Sequence, residues 1–455
     1  MKTLSAHTST TRSGAEAPAV NRWLIVLGTI IVQMGLGTIY TWSLFNQPLV
    51  DKFGWQLSSV AITFSITSFA LAFATLFSGK LQEKWGIRRL IGTAGIVLGL
   101  GLMMSSQVSS LPLLYLLAGV VVGFADGTAY MTSLSNLIKW FPERKGLISG
   151  ISVGAYGTGS LLFKYINGSL IGSVGVSMAF LYWGVIVLLM IVVGSRLIKE
   201  AVVSEAPAMN TAKVNTSATE AALNGTDQPA RNGAAPTTAA IVHNYTVKQM
   251  LKTKQAYLLF IMFFTACMSG LYLIGIVKDI GVQLAGLDLA TAANAVAMIA
   301  IFNTVGRIIL GALSDKVGRL KVLCGTFLVT AIAVAVLSFV PLTFGIFFAA
   351  VAAIAFCFGG NITVFPAIVS DFFGLKNHGK NYGVIYQGFG IGALAGAFIA
   401  AWMGGFKPTF IVIGILCLIS FLIAMMIKPP VYGEREQQAN EATPAKWKAN
   451  PHTVR

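Results

Sequence analysis

Three ionisable side chains stand well inside long apolar stretches of this 455-residue chain: Asp126, Lys164 and Arg307. A charge at the centre of a lipid bilayer costs at least roughly 2.5–3.5 kcal/mol on insertion scales, so such residues usually face a cavity and act there. Each type brings its own chemistry. Arg307 offers a planar guanidinium whose parallel N–H groups match a carboxylate. Asp126 is a carboxyl that can take up and release a proton as its surroundings change. Lys164 carries a point charge on a flexible stem and is a candidate partner for Asp126. Counted from Pro142, the two differ in depth by 6 residues, or about 9 Å of helix.

Polar residues recur beside them at helical spacing. Ser149, Ser152, Tyr156, Ser160, Lys164 and Asn167 fall at steps of three and four, which places them on one helix face. Gln33, Gly37, Tyr40 and Leu44 share another face, as do Asn303 with Arg307 and Asp126 with Tyr130. Gly150, Gly157, Gly159, Gly383, Gly390 and Gly392 read instead as close-packing positions between helices.

The elements that must position these residues are membrane helices. The chain is 55% hydrophobic and only 11% charged, against about a quarter charged in soluble proteins. Apolar runs occur at about 23–45, 57–78, 90–107, 112–138, 147–170, 177–198, 256–277, 290–313, 322–340, 343–369, 381–402 and 409–427. They lack strand alternation, and an open sheet cannot satisfy its backbone in lipid, so twelve transmembrane helices are expected.

The two halves repeat. GKLQEKWGIRR from Gly79 and GALSDKVGRLK from Gly311 start 232 positions apart, and KWFPERKG from Lys139 stands at the same offset from DFFGLKNHG at Asp371. Past one inserted residue the glycines at 150, 157 and 159 face those at 383, 390 and 392. Two related six-span halves form the architecture of many membrane transporters. The expected organisation is an N-terminal tail (1–22), a six-helix bundle (23–198), a linker (199–255), a second bundle (256–427) and a C-terminal tail (428–455). Residues 200–245, rich in Ala, Thr, Asn and Ser, read as flexible.

Basic residues crowd one set of loops and both tails, whereas the opposite loops hold only Lys52, Lys278 and Lys407. The bias places both termini in the cytoplasm and makes this a multi-pass protein of the cytoplasmic (inner) membrane. It also accounts for the net charge of +16 without nucleic acid, because the charge is spread over loops. The start of the chain has no apolar segment before a cleavage site. Cys267, Cys324, Cys357 and Cys417 all fall in apolar runs and read as small core residues. His7, His243, His378 and His452 lie in loops or tails, and neither a phosphate-binding loop, a metal cluster nor a nucleophile–base pair is legible. No enzyme activity and no cofactor is expected.

These residues resemble the major facilitator superfamily. The loops after spans 2 and 8 fit its G-x-L-x-D-x-x-G-R-x-K/R pattern, complete in the second copy through Gly311, Asp315, Gly318 and Arg319. The first copy keeps Gly79 and Arg88 but carries Glu83 for the acid and Ile87 where a basic residue is usual. Within that superfamily the chain is most similar to the oxalate:formate antiporter family, through IYTWSLFNQPL (Ile39–Leu49), KWFPERKGLISG, FNTVGRIILGALSDKVGR and NYGVIYQG.

The resemblance implies a secondary transporter of small carboxylates, working as an antiporter or proton symporter by alternating access and as a monomer in lipid. It assigns Arg307 to the substrate carboxylate and implies an aromatic cavity wall, with Tyr40, Tyr156, Tyr386, Tyr130 and Gln387 as substrate-binding candidates. Asp126 and Lys164 become the coupling candidates, and the repeated loop residues (Gly79, Glu83, Arg88, Gly311, Asp315, Arg319) become a latch that sets the inward/outward balance. The family's oxalate carrier uses a second cation, a Lys in span 11, close to where this chain has Phe389. That departure favours monocarboxylates such as pyruvate, formate or lactate over oxalate. The alternatives are another cargo, such as a drug or hydrophobic anion, or a transporter-like sensor.

Overall fold

A computed structural model describes residues 21–201, 244–403 and 405–430. The N-terminal tail up to residue 20, linker residues 202–243 and the C-terminal tail from 431 onward lie outside the described residues.

Among the described residues every regular element is a helix. Span 1 runs from Arg22–Leu36 through a 3-10 segment, Gly37–Thr41, into Ser43–Phe53. Spans 2 and 3 are Leu57–Trp85 and Ile87–Ser105. Span 4 starts at Leu111–Leu114, passes a π-helical segment Tyr115–Val121 and continues as Val122–Trp140. Spans 5 and 6 are the two parts of Lys145–Leu197, divided where Gly175 takes φ 77° and ψ 166°. In the second half, spans 7 to 10 are Lys254–Gln283, Leu289–Val317, Arg319–Phe339 and Phe344–Phe373. Span 11 is His378–Ile385 followed by Gln387–Met403, and span 12 is Phe406–Met426.

Ten of these helices are long and apolar enough to cross a membrane. The 53-residue Lys145–Leu197 is long enough to cross twice, and span 11 is divided at Tyr386 into two shorter helices that cross together. The twelve apolar runs therefore correspond to twelve crossings, with helices that reach past the runs at most ends. Each start has a local cause. Thr253, Asp288 and Thr343 accept hydrogen bonds from Ala256, Thr291 and Ile346 amides, which the first turn of a helix leaves without partners. Gly86 and Gly318, 232 positions apart, turn span 2 into 3 and span 8 into 9 at φ 74° and 100°, values that L side chains rarely adopt.

The packing repeats with the sequence. Span 2 lies on span 4 and span 8 on span 10; span 9 lies on span 12 and span 7 on span 11. Spans 1 and 3 pack against the Lys145–Leu197 helix. The halves meet through span 5 on span 8 and span 11 on span 2. Part of the expected linker is ordered: Val247–Met250 is a helical turn with a capping box of Thr246 and Gln249, and the Tyr245 amide donates to the Phe373 carbonyl.

Candidate functional site

The interface between the halves encloses a small cavity lined by Tyr40, Tyr130, Val153, Tyr156, Arg307, Phe358, Ile362, Tyr386 and Phe389. The space open to a water molecule between these atoms is only about 10 Å³, so the side chains pack closely around Arg307 and a substrate needs them to part.

Two broken helices bring the aromatic rings in. At Gly37 a Cβ would stand 1.8 Å from the Tyr156 carbonyl oxygen, so only glycine allows spans 1 and 5 to come this close. The 3-10 segment that starts there carries Tyr40, whose ring centroid is 5.3 Å from that of Tyr156. In span 11 the break at Tyr386 turns Tyr386 and Phe389 inward, stacked with centroids 5.2 Å apart. Tyr130 completes the wall, 5.6 Å from Tyr156 and 5.3 Å from Tyr386.

Arg307 is 4% exposed and is the cation in the cavity wall. Its Nη1 donates to the Val153 carbonyl at 2.6 Å, which fixes the guanidinium against span 5. Its Nε is buried without a hydrogen-bond partner. A buried donor gains on the order of 1–3 kcal/mol when an acceptor meets it, and Nε is such a donor.

Asp126 is fully buried behind this wall. The Tyr156 hydroxyl donates to its Oδ1 at 3.3 Å, and its Oδ2 has no partner. Among the described residues no ion pair reaches it. Lys164 is not brought to it: this side chain is exposed on span 5 and lies outside the cavity lining. Gln387 is also engaged elsewhere. Its Nε2 donates to the Ala72 and Gly383 carbonyls and to Thr75 Oγ1, stitching span 11 to span 2.

The lining that sequence reading missed, Val153, Phe358 and Ile362, was accessible through the repeat. Phe358 and Ile362 stand 232 positions from Asp126 and Tyr130, and Tyr386 stands 233 from Val153. Tyr130 with Ile362, Val153 with Tyr386 and Tyr156 with Phe389 are such paired positions, and each pair joins a tyrosine to an apolar residue. The glycines follow the same rule. A Cβ on Gly150 would meet the Arg307 carbonyl oxygen at 2.6 Å, and one on Gly383 would meet that of Thr75 at 2.4 Å.

Below the cavity, at the end that carries the basic loops, the halves are locked. Asp315 accepts from the Gly146 and Leu147 amides at 2.9 and 2.7 Å, satisfying first-turn donors of span 5 from the opposite half. Arg319 pairs with Asp315 at 2.5 Å and Asp371 at 3.1 Å, and Lys145 reaches Asp371 at 2.6 Å. The related position, Glu83, pairs with Lys380 at 2.6 Å instead of capping a helix. Gly79 and Gly311 let these segments touch, since a Cβ would meet Lys380 Cγ and the Gly146 carbonyl oxygen at 2.6 Å. Arg88 stays within its own half and donates to the Ile198 carbonyl.

His378 adds a further link. Ser135 donates to its Nδ1 at 2.9 Å, and its Nε2–H donates to the Pro366 carbonyl at 2.8 Å. Sequence reading had placed His378 in a loop without a role.

Comparison with known proteins agrees with this architecture. The chain is 46% identical over 373 residues to an uncharacterized major-facilitator-type transporter, YhjX, of Escherichia coli (strain K12), covering 82% of this chain and 86% of that protein. It is 27% identical over 414 residues to the oxalate:formate antiporter of Oxalobacter formigenes, covering 90% and 92%. The crystal structure of the transporter FucP in its outward conformation shares the fold, with a TM-score of 0.64 at 13% identity over 88% of this chain and 97% of that one. The sequence model of the Major Facilitator Superfamily matches residues 25–343 and again 258–453. With paired six-helix halves, repeated loops and this match, the chain belongs to the major facilitator superfamily of transporters.

Proposed function

We propose that this transporter carries small monocarboxylates such as pyruvate, formate or lactate across the cytoplasmic membrane. The observation that carries this reading is a single buried guanidinium, Arg307, with an unpartnered Nε in a small and otherwise uncharged aromatic cavity. One arginine neutralises one carboxylate. A dianion such as oxalate would keep a second charge in a poorly solvated site, which is strongly unfavourable. Phe389 and Phe358 supply apolar surface for a short substituent. The oxalate:formate antiporter among the relatives supports carboxylates as the substrate class.

The basic loops, and with them both termini, face the cytoplasm under the positive-inside rule. The latches of Asp315, Asp371 and Glu83 then close the cytoplasmic gate, and the conformation described is one with that gate shut. Transport requires these contacts to break as the halves rock about the cavity. Asp126, held by Tyr156 next to the site, is the group that takes up and releases the coupling proton.

Competition for a labelled carboxylate in proteoliposomes tests the substrate class. Pyruvate or lactate should displace it at least about tenfold better than oxalate, a difference of ~1.4 kcal/mol. Stronger displacement by oxalate would overturn the monocarboxylate reading, and absence of any uptake would point to a sensor.

A further inference from the structure

Spans 8 and 9 separate away from their shared turn at Gly318 and leave a wedge-shaped apolar groove on the outer surface of the second half. It offers about 690 Å³ between its walls, which include Leu313 and Val317 of span 8, Gly325 and Val329 of span 9, and Ala352 and Ala353 of span 10 as its floor. Leu313, Val317 and Val329 are each at least 40% exposed. At the basic-loop end the groove finishes on Lys321. This lysine is exposed and, among the described residues, has no ion pair.

Small residues open the groove. At the related positions of the first half, 232 residues earlier, Gly325 is replaced by Thr93, and Ala349, Ala352 and Ala353 by the branched Leu117, Val120 and Val121. A Cβ on Gly325 would meet nothing within 4 Å.

We propose that this groove is a binding site for one acyl chain of an anionic phospholipid whose phosphate sits on Lys321. From Phe302 to Val317 the wall of span 8 is about 22 Å long, enough for a whole leaflet of a hydrocarbon core about 30 Å thick. The cation stands at the end where the basic loops meet the headgroups, and a basic residue beside an intramembrane groove on that side selects anionic headgroups. A neutral lipid fills the groove equally well but gains nothing from Lys321. The bound lipid would prop span 8, which carries both Arg307 and Asp315, against span 9.

The purified full-length protein, exposed in detergent to equal amounts of phosphatidylglycerol and phosphatidylcholine with the same chains, tests this by native mass spectrometry of retained lipid. The wild type should retain phosphatidylglycerol at least about fivefold over phosphatidylcholine. Lys321→Gln should lose the preference, Lys321→Arg should keep it, and Gly325→Leu, which fills the groove, should lose retention of both lipids. Equal retention of the two lipids by the wild type overturns the proposal. So does a preference that survives in either Lys321→Gln or Gly325→Leu, when both remain monodisperse.

Discussion

Arg307 shows how little chemistry the centre of this molecule contains. Its Nη1 is already committed to the Val153 carbonyl, so the remaining N–H groups, Nε among them, are what a substrate can use. Lysine at this position keeps the charge but not the fork. Arg307→Lys should therefore weaken substrate affinity on the order of tenfold, and Arg307→Ala on the order of a hundredfold or more, as hydrogen bonds to charged groups are each worth about 1.5–3 kcal/mol. Isothermal titration of each variant with the preferred carboxylate measures this. Normal affinity in Arg307→Ala would remove the residue from the site. Of the residues that the sequence suggested for substrate binding, Arg307, Tyr40, Tyr130, Tyr156 and Tyr386 line the cavity and Gln387 does not. Lys164, suggested for coupling, is exposed, because rotation about a helix axis decides whether a polar side chain meets a cavity, a neighbouring span or the outside.

At the scale of elements, the start of span 11 is a joint between three helices. His378 is fully buried and bridges Ser135 of span 4 and the Pro366 carbonyl of span 10. His378→Ala removes both hydrogen bonds and leaves the buried Ser135 hydroxyl without this partner, so it should destabilise the protein by about 1–3 kcal/mol and lower its thermal midpoint. An unchanged midpoint in His378→Ala would show that the joint carries no stability. Nothing in the sequence marked this joint, since its partners come from two other helices far away in the chain.

For the molecule as a whole, the proposed cycle requires the contacts at the basic-loop end to break when the halves part around Arg307. Asp315 and Glu83 occupy related positions and both act across the halves, one through backbone amides and the other through Lys380. If Asp126 takes up the proton that drives this cycle, Asp126→Asn should abolish uptake driven by a pH gradient while leaving exchange of internal for external substrate. Proteoliposome flux with and without the gradient separates the two. Unchanged pH dependence in this variant would place the coupling proton elsewhere.

Much of this was written in the chain itself. The apolar runs dictate helices because lipid offers the backbone no other partner, and the 232-residue repeat dictates two similar bundles. Charge in apolar surroundings is rare enough that Arg307 and Asp126 declared themselves. What only the tertiary structure decided is which groups meet: Tyr156 with Asp126, Asp315 with the first turn of span 5, His378 with Ser135, and the wedge above Lys321. The reason is physical. Burial and periodicity act along a single helix and can be read from it, whereas close approach between helices depends on where glycines remove a side chain. At Gly37 the gap closed in this way brings span 1 onto span 5. That distance belongs to the pair of helices and to neither sequence alone.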